Sequence, residues 1–261
     1  MITILWLILA IGVLPLAIGL VRRKPTAIGL HELAASTILA TLAFNLTFVW
    51  QELWLVLPKA MTPGLHPILY HNDHDWTGTA PIVELLQGTG AIATLVSGIF
   101  FLSAAHRISN PTARLFAFWM AFEGLFQSVS QFAIGALIPG NDVGRALTWL
   151  GYSQTSRVML LAPAVIALGM AGRTLARIES RILLPLALSI ALIVPFRVPR
   201  DPIEVVLIPI VVHLIGAGWV TFGTTAIAPT ISGRLAIALP AAALLAILLV
   251  FQCVLRPGIA F

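Results

Sequence analysis

The stretch Tyr70-His71-Asn72-Asp73-His74-Asp75-Trp76 places two imidazoles and two carboxylates within five consecutive positions. A His-x-x-His pair with flanking Asp presents nitrogen and oxygen ligands that suit one zinc or iron ion on a turn, and His66 stands five residues upstream. The competing reading is a polar loop whose Asn and Asp residues build turns and whose Trp76 marks a membrane interface. A second centre is Glu52, in Trp50-Gln51-Glu52-Leu53-Trp54-Leu55. An acid there is costly unless paired or wet, and Lys59, two helical turns on, is its expected structural partner. The third is Glu123, nine residues from Arg114 and so roughly 13 Å into a helix that starts there. Gln127 and Gln131 follow on its face, and His213 lies mid-span in a later helix. At that depth an ionisable group is a proton relay, a haem ligand or an interhelical hydrogen bond, and the last is the reading adopted for Glu123 and His213. Paired haem ligation needs two imidazoles at matching depth, and His31 and His106 sit near a helix end instead. His31-Glu32 lacks the second histidine of His-Glu-x-x-His, since Ala35 stands there.

The elements that must carry these residues follow from composition. Of 261 residues, 59% are hydrophobic and 10% charged, with mean hydropathy +1.00, too little polar surface for a water-facing globule. The apolar runs are about 20 residues long without strand-like alternation, which predicts an all-α, polytopic transmembrane helix bundle and excludes a β-barrel. Cys253 is the only cysteine and the net charge of +5 is scattered, so neither a disulfide scaffold nor a nucleic-acid partner is expected. The predicted spans cover about 2–20, 27–57, 82–104, 115–137, 157–175, 182–196, 203–227 and 235–254. That makes eight, or seven if the Pro-containing run 182–196 joins its neighbour as one broken unit. The connection 58–80 is the longest polar one and reads as a structured extramembrane loop or hairpin within a single transmembrane domain, 1–261.

Alternate connections hold Arg22, Arg23, Lys24, Arg107, Arg114, Arg173, Arg177, Arg181 and Arg234, against Lys59, Arg145, Arg157, Arg197, Arg200 and Arg256 on the other side. The first set marks the cytoplasmic face, so eight spans put both termini outside. Glu52, Asp73, Asp75, Glu84, Asp142, Asp201 and Glu204 all fall at the outer rim.

The order of these segments resembles the integral-membrane zinc metallopeptidases of the site-2 protease family. In that family a helix carrying His-Glu-x-x-His is followed by a short extended loop, a small-residue span, and an Asp beside Asn or Gly that supplies the third zinc ligand. Here Gln51-Glu52-Leu53-Trp54-Leu55 occupies the helical motif, the loop 60–80 the extended segment, Gly88 to Gly98 the small-residue span, and Ile138-Pro139-Gly140-Asn141-Asp142-Val143-Gly144 the Asp segment. The resemblance covers residues 30 to 180 in pattern and implies a bacterial inner (plasma) membrane. Gln51 and Leu55 replace the two zinc-binding histidines, so only Glu52 and Asp142 of the motif survive and a proteolytic site of the usual make cannot assemble.

Two functions are expected from this. The first is a non-proteolytic scaffold or accessory subunit, a pseudoenzyme packed against membrane lipid, another membrane protein or a second copy through small-residue faces such as Gly88 to Gly98 and Gly216 to Gly218. The alternative is a membrane metalloenzyme, a hydrolase or oxygenase on a lipid-like or peptide substrate. Its zinc or iron would sit at the outer rim on His71, His74, Asp142 and Glu52, with Glu52 as the catalytic carboxylate. A transporter built on Glu123 and His213 is disfavoured, because no inverted repeat is visible.

Overall fold

The computed structural model describes residues 6–7, 9–22, 27–199, 202–224, 230–231 and 233–261. Arg23, Lys24, Arg200 and Asp201, which entered the charge asymmetry, and the side chain of Glu204 lie outside the described residues. The described residues are mostly helical, with one small sheet. In order it forms α1 (Leu14–Arg22, preceded by a π-helical turn Leu9–Val13), α2 (Leu30–Ala60), strands β1 (Leu65–Leu69) and β2 (His74–Gly78), the single turn α3 (Val83–Leu86), and α4 (Thr89–Arg107). Then follow α5 (Pro111–Leu137), α6 (Asp142–Trp149), α7 (Gln154–Met159), α8 (Leu161–Ala176), α9 (Leu183–Arg197), α10 (Pro202–Gly223), α11 (Ala238–Val250, continued by a π turn) and β3 (Ile259–Ala260).

Among the described residues, five helical stretches are long and apolar enough to cross a membrane: Leu30–Ala60, Val83–Arg107, Gln154–Ala176, Val205–Gly223 and Ala238–Leu255. A sixth arises if α5 and α6, bent by 55° at Pro139-Gly140, count as one broken span. Among the described residues, length and apolarity thus support five or six of the eight crossings expected. The segments Ala10–Arg22 and Leu183–Arg197 are apolar but shorter. Fifteen residues of α9 rise about 22 Å, against roughly 30 Å of hydrocarbon.

Helix α5 is the axis of the bundle. Asn110 caps it by accepting from the Ala113 amide at 3.0 Å, and Pro111 fills the first turn where no amide hydrogen is needed. Its aromatic row of Phe118, Trp119, Phe122 and Phe126 is fully buried, and the Trp119 indole donates to Ser36 Oγ at 3.1 Å. Against α4 it packs backbone to backbone: a Cβ added at Gly98 would stand 2.7 Å from Leu125 N, and one added at Gly124 2.8 Å from Gly98 Cα. The small-residue run at 88–98 thus serves an approach within the chain.

The connection 58–80 folds as an antiparallel hairpin, with Leu65 opposite Gly78 and Leu69 opposite His74. Leu65, Pro67 and Leu69 turn inward while His66 faces solvent. Gly64 (φ 85°) and Gly78 (φ 91°) occupy the left-handed region at the open end, where a Cβ on Gly78 would collide with Gly64 O. β3 adds to the free edge of β1, pairing Ile259 with Leu69 and Ala260 with Ile68.

At the opposite rim Glu179 is buried and accepts from the amides of Ser180, Arg181 and Ile231, while Arg181 bridges Glu179 and Glu32. Burial works against the Arg181 charge, but the two carboxylates outweigh it and hold its pKa above the ordinary arginine value. Glu32 thus locks the start of α2 to the connection between α8 and α9.

Gly98→Val is expected to destabilise the bundle by about 1–3 kcal/mol, since backbone stands where the new side chain must go. A thermal unfolding midpoint in detergent no lower than that of the unsubstituted protein would contradict this packing.

Candidate metal centre at the loop rim

The last turns of α2 present Glu52, 5% exposed, toward the hairpin. Across from it, His74 at the start of β2 directs Nδ1 to Glu52 Oε2 at 2.7 Å. The other ring nitrogen, Nε2, lies 3.2 Å from Gln87 Oε1, in the short loop between α3 and α4. Among the described residues, one set of three potential ligands converges: Glu52, Asp73 and His74, each offering an atom within 4.8 Å of the others.

Around this set, Trp76 is the keystone of the hairpin's outer face. Its ring stacks on His74 (centroids 5.9 Å apart, 14° between planes), with Lys59 Nζ 4.8 Å and Arg145 Cζ 5.3 Å from its centroid. Arg145 is in turn held by two hydrogen bonds to the carboxylate of Glu84, Nη2 to Oε1 at 2.8 Å and Nε to Oε2. Lys59 donates to Leu55 O at 2.9 Å and reaches Gln87 Oε1 at 3.5 Å.

Two expectations need correction. Lys59 does not pair with Glu52, whose partner is His74; Lys59 turns back onto its own helix and under Trp76. His71 does not join His74. The turn closed by Tyr70 N donating to Asp73 O sends the two imidazoles apart, and His71 is buried beside Phe251, 6.0 Å between ring centroids. Asp73, a flanking residue in the sequence reading, takes the place given to His71. Gln87 carried no signal in the sequence, because a single glutamine in an apolar segment has no motif around it.

Glu52, Asp73, His74 and Asp142 line one cavity of about 410 Å³. Asn141 caps α6, accepting from the Val143 amide at 3.1 Å, and so sets Asp142 on the rim, where His74, Glu52, Lys59 and Arg145 all act on its charge. The far wall is apolar, with Phe48 of α2 and Leu207, Ile208, Val211 and Val212 of α10. Gln127 also lines the cavity; it is 2% exposed, and both atoms of its amide lack a hydrogen-bond partner among the described residues. Gln131 Nε2 donates to Gln51 Oε1 at 2.5 Å, so Gln51, beside Glu52 on α2, is engaged with α5.

The residues present fit a metal ion. Two ligand atoms on one tetrahedral zinc lie roughly 3.3 Å apart, and here the ligand atoms of Glu52, Asp73 and His74 all lie within 4.8 Å of one another, with His74 Nδ1 and Glu52 Oε2 2.7 Å apart. His74 also has the arrangement of a ligating imidazole, one nitrogen aimed at the carboxylates and the other tied to a neighbouring oxygen.

Trp76→Ala should loosen the hairpin's hold on the site, lowering the opening free energy of the β2 amides by about 1–2 kcal/mol as two cation–π contacts vanish. Hydrogen exchange at residues 74–78 reads this directly, and unchanged protection would show that the indole is not what clamps His74. No protein-family description, no curated protein and no solved structure matches this chain.

Proposed function

We propose that the chain is a membrane-embedded, metal-dependent hydrolase, a relative of the site-2 protease family whose centre has been rebuilt from Glu52, Asp73 and His74 with Asp142 at its side. The observation that carries this reading is the convergence of three ligand atoms inside a cavity with one polar and one apolar wall. Glu52, Asp73 and His74 would hold zinc or iron there, and the ion would supply a Lewis acid and a water of lowered pKa. Asp142, beside the ligands, would serve as the general base and acid, holding a proton for return to a leaving group. Gln127 offers a buried amide hydrogen to a substrate carbonyl, and Phe48, Leu207 and Ile208 receive the apolar part of a lipid-like or peptide substrate. Counting Ala10–Arg22 and Leu183–Arg197 as tilted or thinned crossings gives eight, with both termini and the centre on the outer side of a bacterial inner membrane.

A second reading, the accessory scaffold, draws on α11. Only 17% of its spanning window is buried within the chain, so it presents a broad apolar face to lipid or to a membrane partner.

Protein purified in detergent and equilibrated with zinc or iron(II) should hold about one ion per chain by elemental mass spectrometry. The ion should be lost in His74→Ala and in Asp73→Ala and kept in His71→Ala, with thermal midpoints confirming that each variant is folded. Protein that binds no metal above background, or folded His74→Ala that retains it, would remove the enzyme and leave the scaffold.

A further inference from the structure

Glu123 and His213 form a contact that the rim centre does not use. Glu123 Oε1 and His213 Nε2 are 3.0 Å apart, and the two residues are 0% and 3% exposed, joining α5 to α10. An interhelical lock needs only that one bond. Yet Glu123 Oε2 and His213 Nδ1 are also buried and have no hydrogen-bond partner among the described residues, and the same holds for both amide atoms of Gln127 and for Gln131 Oε1. Orphaned polar atoms in an apolar surround are costly, and apolar residues would serve a purely structural helix face better.

These atoms share one line. Glu123, Gln127 and Gln131 stand at i, i+4 and i+8 of α5, about 12 Å from end to end. The outer part of the line already opens into the cavity: Gln127, Ser130 and Gln131 line it from α5, and Val211 and Val212, next to His213 in sequence, line it from α10. The cavity therefore ends one helical turn from Glu123.

We propose that the rim cavity continues as a hydrated cleft along the Glu123/Gln127/Gln131 face, and that the Glu123–His213 pair exchanges a proton with its water. In the exchange a hydronium in the cleft gives its proton to the Glu123 carboxylate at Oε2, leaving water and a carboxylic acid, while His213 keeps its own proton on Nε2; the reverse step returns the proton. The aromatic neighbours of the pair are Phe44 of α2 and Phe122 of α5, which do not titrate. Among the described residues, the charged and titratable groups on the packed elements lie toward the two ends of the bundle: Glu52, Lys59, Asp142, Arg145, Arg157 and Arg197 toward the loop rim, and Arg22, His31, Glu32, His106, Arg107, Arg114 and Arg173 toward the other. The cavity thus supplies the polar route to the pair, and His213 is the titratable group in contact with Glu123.

The test is made on the full chain in membranes. In a Cys253→Ser background, Gln127→Cys and Gln131→Cys should react with a membrane-impermeant, charged methanethiosulfonate reagent. Ser128→Cys, on the face where the native hydroxyl donates to Ala91 O at 2.6 Å, should not. Absence of reaction at residue 127 in folded protein would overturn the cleft. On the unsubstituted protein, infrared spectroscopy should show an acid carbonyl band that grows as the bathing pH falls, shifts in D2O and disappears in Glu123→Gln. A Glu123 signal indifferent to both bathing pH and D2O would overturn the proton exchange even if the cysteines react. Neither readout needs a bound metal, so failure here is distinct from failure of the hydrolase.

Discussion

A carboxylate near the end of an apolar helix has to be partnered, and for Glu52 the partner comes from outside the helix. The 2.7 Å contact with His74 ties the last turns of α2 to the first residue of β2, and much of the loop rim is arranged around that tie. The hairpin register sets His74 opposite Leu69, whose buried side chain fixes the inward face of β1. Trp76, two residues on and so on the same face of β2 as His74, stacks on the imidazole and is flanked by Lys59 and Arg145. Arg145 then reaches Glu84, which binds the α6 rim helix to the turn before α4. One acid–imidazole contact thus sits where α2, the hairpin, α3 and α6 meet.

The bundle beneath supplies rigidity and position. Gly98 and Gly124 bring α4 and α5 to backbone contact, a spacing that side chains would forbid. This approach fixes the rotation of α5, and with it which residues face α10. Glu123 and Gln127 then lie toward the bundle interior rather than toward lipid, which is where polar groups in a bilayer find partners or water. The bend after Leu137 has a similar positional role: by tilting α6 55° from α5, it sets Asp142 at the rim in front of the cavity.

Much of this architecture was legible in the sequence. Apolar runs marked the helices, Gly64, Gly78 and the Asn72-Asp73 turn marked the hairpin, and the depth of Glu123 and His213 pointed to interhelical hydrogen bonding without naming the partner, which the structure supplies by setting the two 3.0 Å apart. Pairing was harder to read. His71 and His74 look equivalent on the page, but a tight turn at 70–73 points them to different sides, a consequence of backbone direction that spacing alone does not carry. Lys59 was the nearest cation to Glu52 along the helix, yet a residue more than twenty positions away in sequence competes successfully because the hairpin delivers it with good geometry. Span number was limited by a different factor: hydropathy reports apolarity, whereas crossing also demands length, and α9 is apolar but short.

The strand β3 ties the far end of the described chain to the rim. Ile259 and Ala260 ladder onto β1, and the Phe261 amide donates to Pro67 O at 3.0 Å. α11, which contributes little to the interior, is thereby moored to the same hairpin that carries His74. Sideways drift of that helix would have to break ladder bonds first, so this peripheral outrigger and the turn that carries Asp73 and His74 behave mechanically as one piece.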